Sequence, residues 1–147
     1  MAESWNLAPY LTVADGAAAI AFYERAFGAT LVTKHLADDG KRVLHGHLDI
    51  HGATLLLSDD FPEHRGGKRN DALTYGGTPV TLHLDVPDAV AVAQRAAAHG
   101  ATITMPVEPQ FWGDVYGQFV DPFGLAWSVR TAKPAAAAHA SAGGAAD

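Results

Sequence analysis

Two histidines one residue apart, His45 and His47, and a third, His83, with Asp85 two positions beyond it, are the side chains best suited to chemistry. On a strand the His-x-His spacing puts both imidazoles on one face, about 7 Å apart at the backbone, and such a pair can share a metal ion. The same residues read equally as polar lining of a ligand pocket. His83 beside Asp85 is the candidate for acid–base catalysis without a metal, because a carboxylate can orient an imidazole that takes and returns a proton. A second group is aromatic and cationic. Phe111, Trp112 and Tyr116 flank Gly113 and could form a stacking wall for a planar or apolar ligand, or pack as core or dimer contact. The planar fork of Arg130 suits a carboxylate or phosphate; the alternative is a pair with Asp85. Tyr10 is read as pocket lining and Trp127 as core. Asp114 and Asp121 are read as turn residues, and Asp59, Asp60, Lys68 and Arg69 as solvated loop charges. The remaining histidines, His35 and His51 among them, fall at turns, ends or the tail.

An internal repeat places these side chains. Val13-Ala14-Asp15, an Ala-rich run and Gly28-Ala29-Thr30 return as Val86-Pro87-Asp88, a second Ala-rich run and Gly100-Ala101-Thr102, 72 to 73 residues on. Gly46 to Gly52 sits against Gln118 to Gly124 at an offset of 72. Each half reads as strand, helix and three further strands, with alternation clearest at Val80, Leu82, Leu84 and Val86. Asp15 and Asp88 stand where helix N-caps belong. The helices run from about Ala17 to Phe27 and Ala89 to His99, and Ile20, Tyr23 and Phe27 form one apolar stripe. Gly28 and Gly100 are expected as left-handed C-caps. Asp49 to Gly52 and Asp121 to Gly124 read as matching tight turns, with Pro122 and Gly124 suiting type I. Module one spans about 7–58 and module two about 80–131, together one domain over 1–131, since neither half is comfortable alone. Between them, 59–79 is a Gly-rich charged loop of a length that marks a lid, a binding loop or a linker. The Ala-rich stretch 132–147 is expected to be a disordered tail.

Phe22-Tyr23-Glu24-Arg25-Ala26-Phe27-Gly28 in the first module and Asp121-Pro122-Phe123-Gly124 in the second resemble the vicinal oxygen chelate superfamily. That group includes glyoxalase I, bleomycin- and fosfomycin-resistance proteins and extradiol dioxygenases. Pro9-Tyr10-Leu11, Gly77-Thr78-Pro79-Val80, Leu82-His83-Leu84 and Gln110-Phe111-Trp112-Gly113-Asp114 resemble its PhnB-like branch. The resemblance implies an α+β fold: two tandem βαβββ modules forming a cup-shaped mixed sheet with helices outside. Strand alternation on that fold sends Leu11, Val13, Leu55, Leu57, Trp127 and Val129 to the helices. It leaves Tyr10, His83, Asp85, Ser128 and Arg130 facing the cup. In the third strand Leu44 and Leu48 are expected inward, leaving His45 and His47 to the cup. Metal-dependent members of the family hold their ion at positions that map to Ala8, Leu56, Thr81 and Ser128, and none of these is a normal ligand. The resemblance therefore implies no metal at the usual site and no cofactor. A divalent ion on a displaced set, His45, His47 and His83, is the alternative.

Three functional readings follow. The first is a metal-free protein that binds a small organic molecule, lined by Tyr10, Phe111, Trp112 and His83. The second is a glyoxalase-type metalloenzyme (lyase, dioxygenase or isomerase) on the displaced histidines. The third is acid–base catalysis by His83 with Asp85. The 147 residues include no Cys, which removes disulfides, thiolate nucleophiles and Cys-based metal sites. A net charge of −6 argues against a nucleic-acid partner and suits a cationic ligand by steering. No signal peptide and no apolar run of about 20 residues are found, so a cytoplasmic protein without membrane contact is expected. The resemblance further implies a homodimer.

Overall fold

The computed structural model describes residues 2–132. The tail expected over 132–147 lies outside the described residues from position 133 on. The chain divides into two compact units after Gly77. The first holds β1 (Tyr10–Val13), α1 (Gly16–Phe27), β2 (Thr30–Leu36), β3 (Val43–Ile50) and β4 (Ala53–Asp59), then a 3₁₀ turn (Pro62–Arg65) and a short helix, α2 (Ala72–Tyr75). The second holds β5 (Thr81–Asp85), α3 (Ala89–Ala98), β6 (Thr102–Pro109), β7 (Val115–Val120) and β8 (Ala126–Thr131). Each unit has one four-stranded sheet, ordered β1-β4-β3-β2 and β5-β8-β7-β6. The first strand of each unit runs parallel to the fourth, and the other pairs are antiparallel. This is the expected α+β arrangement of two βαβββ modules. No helix among the described residues is long and apolar enough to cross a membrane.

The duplication extends to fine detail. Asp15 and Asp88 cap their helices by accepting from Ala18 N and Ala91 N, each at 3.1 Å. A second tie fastens each helix start to the strand that ends beside it. Asp59, closing β4, accepts from Gly16 N at 2.9 Å. Thr131, closing β8, accepts from Ala89 N at 2.6 Å. A bulge recurs 72 residues apart: Val32 is the extra residue of β2 and Thr104 that of β6. The helix ends differ from expectation. Gly28 closes α1 at φ 71°, but α3 is capped by His99 at φ −106°, and Gly100 follows at φ 112°.

Four expectations are corrected. The hairpin turns do not match: β3 and β4 join through His51-Gly52 alone, whereas Val120 pairs with Ala126 across five residues. The longer second turn moves β3 and β7 to an offset of 71, so Gln118 corresponds to His47 rather than to Gly46. Leu44 is 54% exposed, because a bulge between the His35↔His45 and Leu36↔Val43 pairs turns Val43 into the core instead. Asp59 and Asp60 are buried rather than solvated. Asp59 also accepts from Val43 N at 2.6 Å, and Asp60 binds Arg65 and accepts from Asn70 N at 2.7 Å. Nor is 59–79 a bare loop. Asp71 caps α2 through Thr74 N at 3.0 Å and pairs with Arg69 at 2.9 Å. Burial works to raise the Asp71 carboxyl, but the Thr74 and Arg69 bonds outweigh it and hold it below its ordinary value.

Arg42 bridges the exposed Asp39 at 2.7 Å and Glu63 at 2.8 Å, with its guanidinium 4.4 Å from the Phe61 ring centre. Its hydrogen bonds pull both carboxyls down to about 2. Since these folded-state values lie below the unfolded ones, the stabilising link is present above the ordinary carboxylate range and lost as pH falls toward 2. Carboxyl ¹³C NMR titration is expected to place both midpoints near 2 and to move both up in Arg42→Met, Asp39 less completely, because the backbone N–H groups of Lys41 and residue 42 still donate to it.

The two cores solve one packing problem in opposite ways. In the first unit the helix supplies the bulk: Phe22, Tyr23 and Phe27 of α1 are buried against Leu48, Leu55 and Leu57 of the sheet. In the second the sheet supplies it, with Phe119, Trp127 and Val129 buried under Ala89, Ala93 and Ala96 of α3. By register Phe119 and Trp127 take the places of Leu48 and Leu55. The small side chains of α3 also leave an apolar groove of about 260 Å³ beside β6, between Ala93, Ala97, Ile103 and Val107.

Candidate functional site

Register decides which polar side chains meet. The parallel pairing of β5 with β8 sets His83 beside Ser128 and Asp85 beside Arg130. With Leu82, Leu84, Trp127 and Val129 turned to α3, alternation sends all four to the opposite face. β7 extends both rows, placing Gln118 beside Ser128 and Tyr116 beside Arg130. The rows His83–Ser128–Gln118 and Asp85–Arg130–Tyr116 are thus two residues, about 7 Å, apart along the strands.

Side-chain bonds then stitch the rows together. Ser128, only 3% exposed, has Oγ at 2.7 Å from His83 Nδ1. Asp85 Oδ1 lies 2.9 Å from His83 Nε2 and accepts from Arg130 Nε at 2.7 Å. Arg130 Nη1 donates to the buried Asp114 at 3.4 Å. The Arg130 bond, and after it the His83 bond, hold the Asp85 carboxyl below its ordinary value. Asp85 is therefore an acceptor at neutral pH. It accepts the Nε2 proton of His83, and in the neutral ring that leaves Nδ1 to accept from the Ser128 hydroxyl. Both ring nitrogens are thereby engaged. Proton transfer by His83 to a ligand requires one of these two bonds to open.

An aromatic series leads away from the network. Tyr116 stacks beside His83 with ring centres 6.3 Å apart. Trp112 meets Tyr116 edge-on at 5.8 Å, and Phe111 meets Trp112 at 4.9 Å. The loop carrying them is closed by Gln110 N to Asp114 O at 2.8 Å, with Gly113 at φ 105°, a turn conformation that glycine accommodates without strain. Phe111 is 96% exposed at its tip. Gln118 Nε2 donates to the Tyr116 hydroxyl at 3.0 Å.

The first unit carries a related face. Tyr10 and His47 flank Leu56 in one row, and the Tyr10 hydroxyl lies 2.7 Å from His45 Nδ1. By register Tyr10 corresponds to His83, and His45 to Tyr116. Each unit therefore carries one tyrosine and one histidine at the same two places, with the identities exchanged.

The residues expected to bind a ligand divide accordingly. Tyr10, His45 and His47 belong to the first unit; His83, Phe111, Trp112, Tyr116 and Arg130 gather in the second. The displaced metal set draws two residues from one unit and one from the other. Among the described residues no group of three or more His, Asp or Glu is disposed to hold a metal ion. At the four mapped family positions the donors do not fit a divalent ion. Ala8 and Leu56 offer no donor atom, and the Ser128 hydroxyl is buried against His83. Arg130 pairs with Asp85, and Trp127 is core, both as one reading had it. Asp114 and Asp121 are more than turn residues, since both are buried acceptors. His51 has a structural role, donating from Nε2 to Phe27 O at 2.8 Å. Sequence reasoning passed over Ser128 as a partner of His83, and Asp114 as a partner of Arg130. The parallel register signals the first; nothing in the local sequence signals the second.

Comparison with known proteins places these features among relatives. The family model for the Glyoxalase/Bleomycin resistance protein/Dioxygenase superfamily matches residues 7–129. The uncharacterized protein Mb0911c of Mycobacterium bovis is 47% identical over 123 residues, covering 84% of this chain and 80% of that protein. Protein PA1353 of Pseudomonas aeruginosa superposes with a TM-score of 0.67 at 27% identity, over 89% of this chain and all of that one (100%). A glyoxalase-related enzyme from Fulvimarina pelagi has the same fold, with a TM-score of 0.66 at 19% identity, over 90% of this chain and 93% of that one.

Proposed function

Because the chain belongs to the Glyoxalase/Bleomycin resistance protein/Dioxygenase superfamily, whose scaffold hosts both enzymes and binding proteins, we propose that it binds a small planar organic molecule on the face of its second sheet turned away from α3, without the family's usual metal site. One observation carries the reading: a polar network and an aromatic wall share that face. Arg130, the cation of the network, is already bonded to two carboxylates, Asp85 and Asp114. The group is formally anionic, so an anionic ligand would meet repulsion rather than a clamp, and a cationic or neutral planar ligand is favoured. Trp112 and Tyr116 offer ring faces and edges to such a ligand. The PhnB-like branch and the homodimer belong to the same reading. Leu7 and Phe111, 98% and 96% exposed in the single chain, support a second copy.

The test uses two planar probes of opposite charge, N-methylquinolinium and quinoline-2-carboxylate, followed by Trp fluorescence. The cation is expected to quench and the anion not. Trp112→Ala is expected to weaken the cation about tenfold, the worth of one aromatic contact. Preference for the anion, or unchanged affinity in Trp112→Ala, rules the proposal out.

A further inference from the structure

The face of β2 and β3 turned away from α1 carries histidines that the proposed function leaves unused. His35 on β2 stands opposite His45 on β3, with ring centres 6.2 Å apart and planes inclined by 30°. A bulge creates this pairing. Leu36 pairs with Val43 and His35 with His45, so Leu44 is the extra residue. In an unbulged ladder His35 would face Leu44. Bulges re-aim side chains in this way, often where a strand serves a site.

The spacing suits a shared ion. A metal bound at about 2.0–2.1 Å to one nitrogen of each of two imidazoles keeps the ring centres roughly 5–6 Å apart. His35 is exposed and can close the difference by a small side-chain rotation. His45 has Nδ1 committed to the Tyr10 hydroxyl at 2.7 Å. Its Nε2 is the ligating atom, and an outer hydrogen bond on the other nitrogen is the usual companion of a metal-bound imidazole.

We propose that His35 and His45 form a site for a divalent transition metal that favours imidazole, with water completing the coordination. Two nitrogen donors select copper(II), nickel(II) and zinc(II) over magnesium or calcium, with copper(II) tightest. Neither residue falls at the mapped family positions Ala8, Leu56, Thr81 and Ser128. Both residues belong to the first unit, whereas His83 belongs to the second.

Copper(II) titrated into the untagged full chain in a non-coordinating buffer tests this, read by calorimetry and electron paramagnetic resonance. One ion per chain is expected, with hyperfine structure from two imidazole nitrogens. His35→Ala and His45→Ala are each expected to weaken binding at least tenfold and to leave one nitrogen in the spectrum. His64→Ala, on the 3₁₀ turn, is expected to change neither. Absence of saturable binding, or binding that His35→Ala leaves intact in protein with native circular dichroism, overturns the proposal.

Discussion

Replacing Asp121 by alanine is expected to destabilise the fold by about 3–5 kcal/mol, near the top of the range for one side chain. The carboxylate is 3% exposed. One oxygen accepts from Phe123 N at 2.8 Å and Leu125 N at 3.0 Å, and the other accepts from the Trp127 indole at 2.8 Å. Removing it orphans three donors, one of them on the largest aromatic of the second core. Each buried donor left without a partner costs about 1–3 kcal/mol, and water entering the turn recovers part of that. Asp121→Asn keeps the oxygen facing the two backbone donors and turns an amide against the indole, so it should lose about half as much. Urea unfolding of both variants measures this as a lowered midpoint at unchanged slope. A loss below about 1 kcal/mol in Asp121→Ala would show that the turn holds Trp127 without the carboxylate.

The second large effect is expected at Asp59, where alanine should cost about 2–4 kcal/mol. Its oxygens tie the first residue of α1 to the first residue of β3, through Gly16 N at 2.9 Å and Val43 N at 2.6 Å. The fit is close enough to dictate the neighbouring residue. A Cβ on Gly16 would come within 2.5 Å of Asp59 Oδ2 and 2.9 Å of Val43 Cβ. In the second unit the shorter Thr131 does the helix-capping half of this work, and the position corresponding to Gly16 is Ala89. Asp59→Thr should therefore restore the bond to Gly16 but not that to Val43, and recover part of the loss seen in Asp59→Ala. Equal stability of the threonine and alanine variants would mean that the helix tie contributes nothing.

These two aspartates show what the sequence conveys and what it hides. The repeat, the Asp15 and Asp88 caps and the alternation in β5 and β8 carry local signals, because caps and strands are built from nearby residues. They suffice for the fold and for the face on which His83, Asp85 and Arg130 lie. Asp59 resembles any loop acid by composition. Only its correspondence with Thr131, 72 positions on, marks it as a strand end. Bulges are the harder case. One extra residue in β3 reverses the face expected for Leu44, and one extra residue in a turn moves Gln118 from Gly46 to His47. No propensity marks either insertion, and with a period of two a single residue inverts every side chain beyond it. Asp114 meets Arg130 across 16 positions, which no local pattern encodes.

The exchange of bulk between helix and sheet also bears on how a tandem copy folds correctly. A newly made chain offers two similar helices to two similar sheets, and docking a helix on the wrong sheet is the natural error of such a duplication. Here the error is disfavoured by volume. On the second sheet, Phe22, Tyr23 and Phe27 of α1 would compete for space with Phe119 and Trp127. On the first, the alanines of α3 would leave a void above Leu48 and Leu55. Overpacking and cavity formation each cost a few kcal/mol. Divergence of the two cores thus works as a proofreading device, and a chain rebuilt from two copies of either half would lose it.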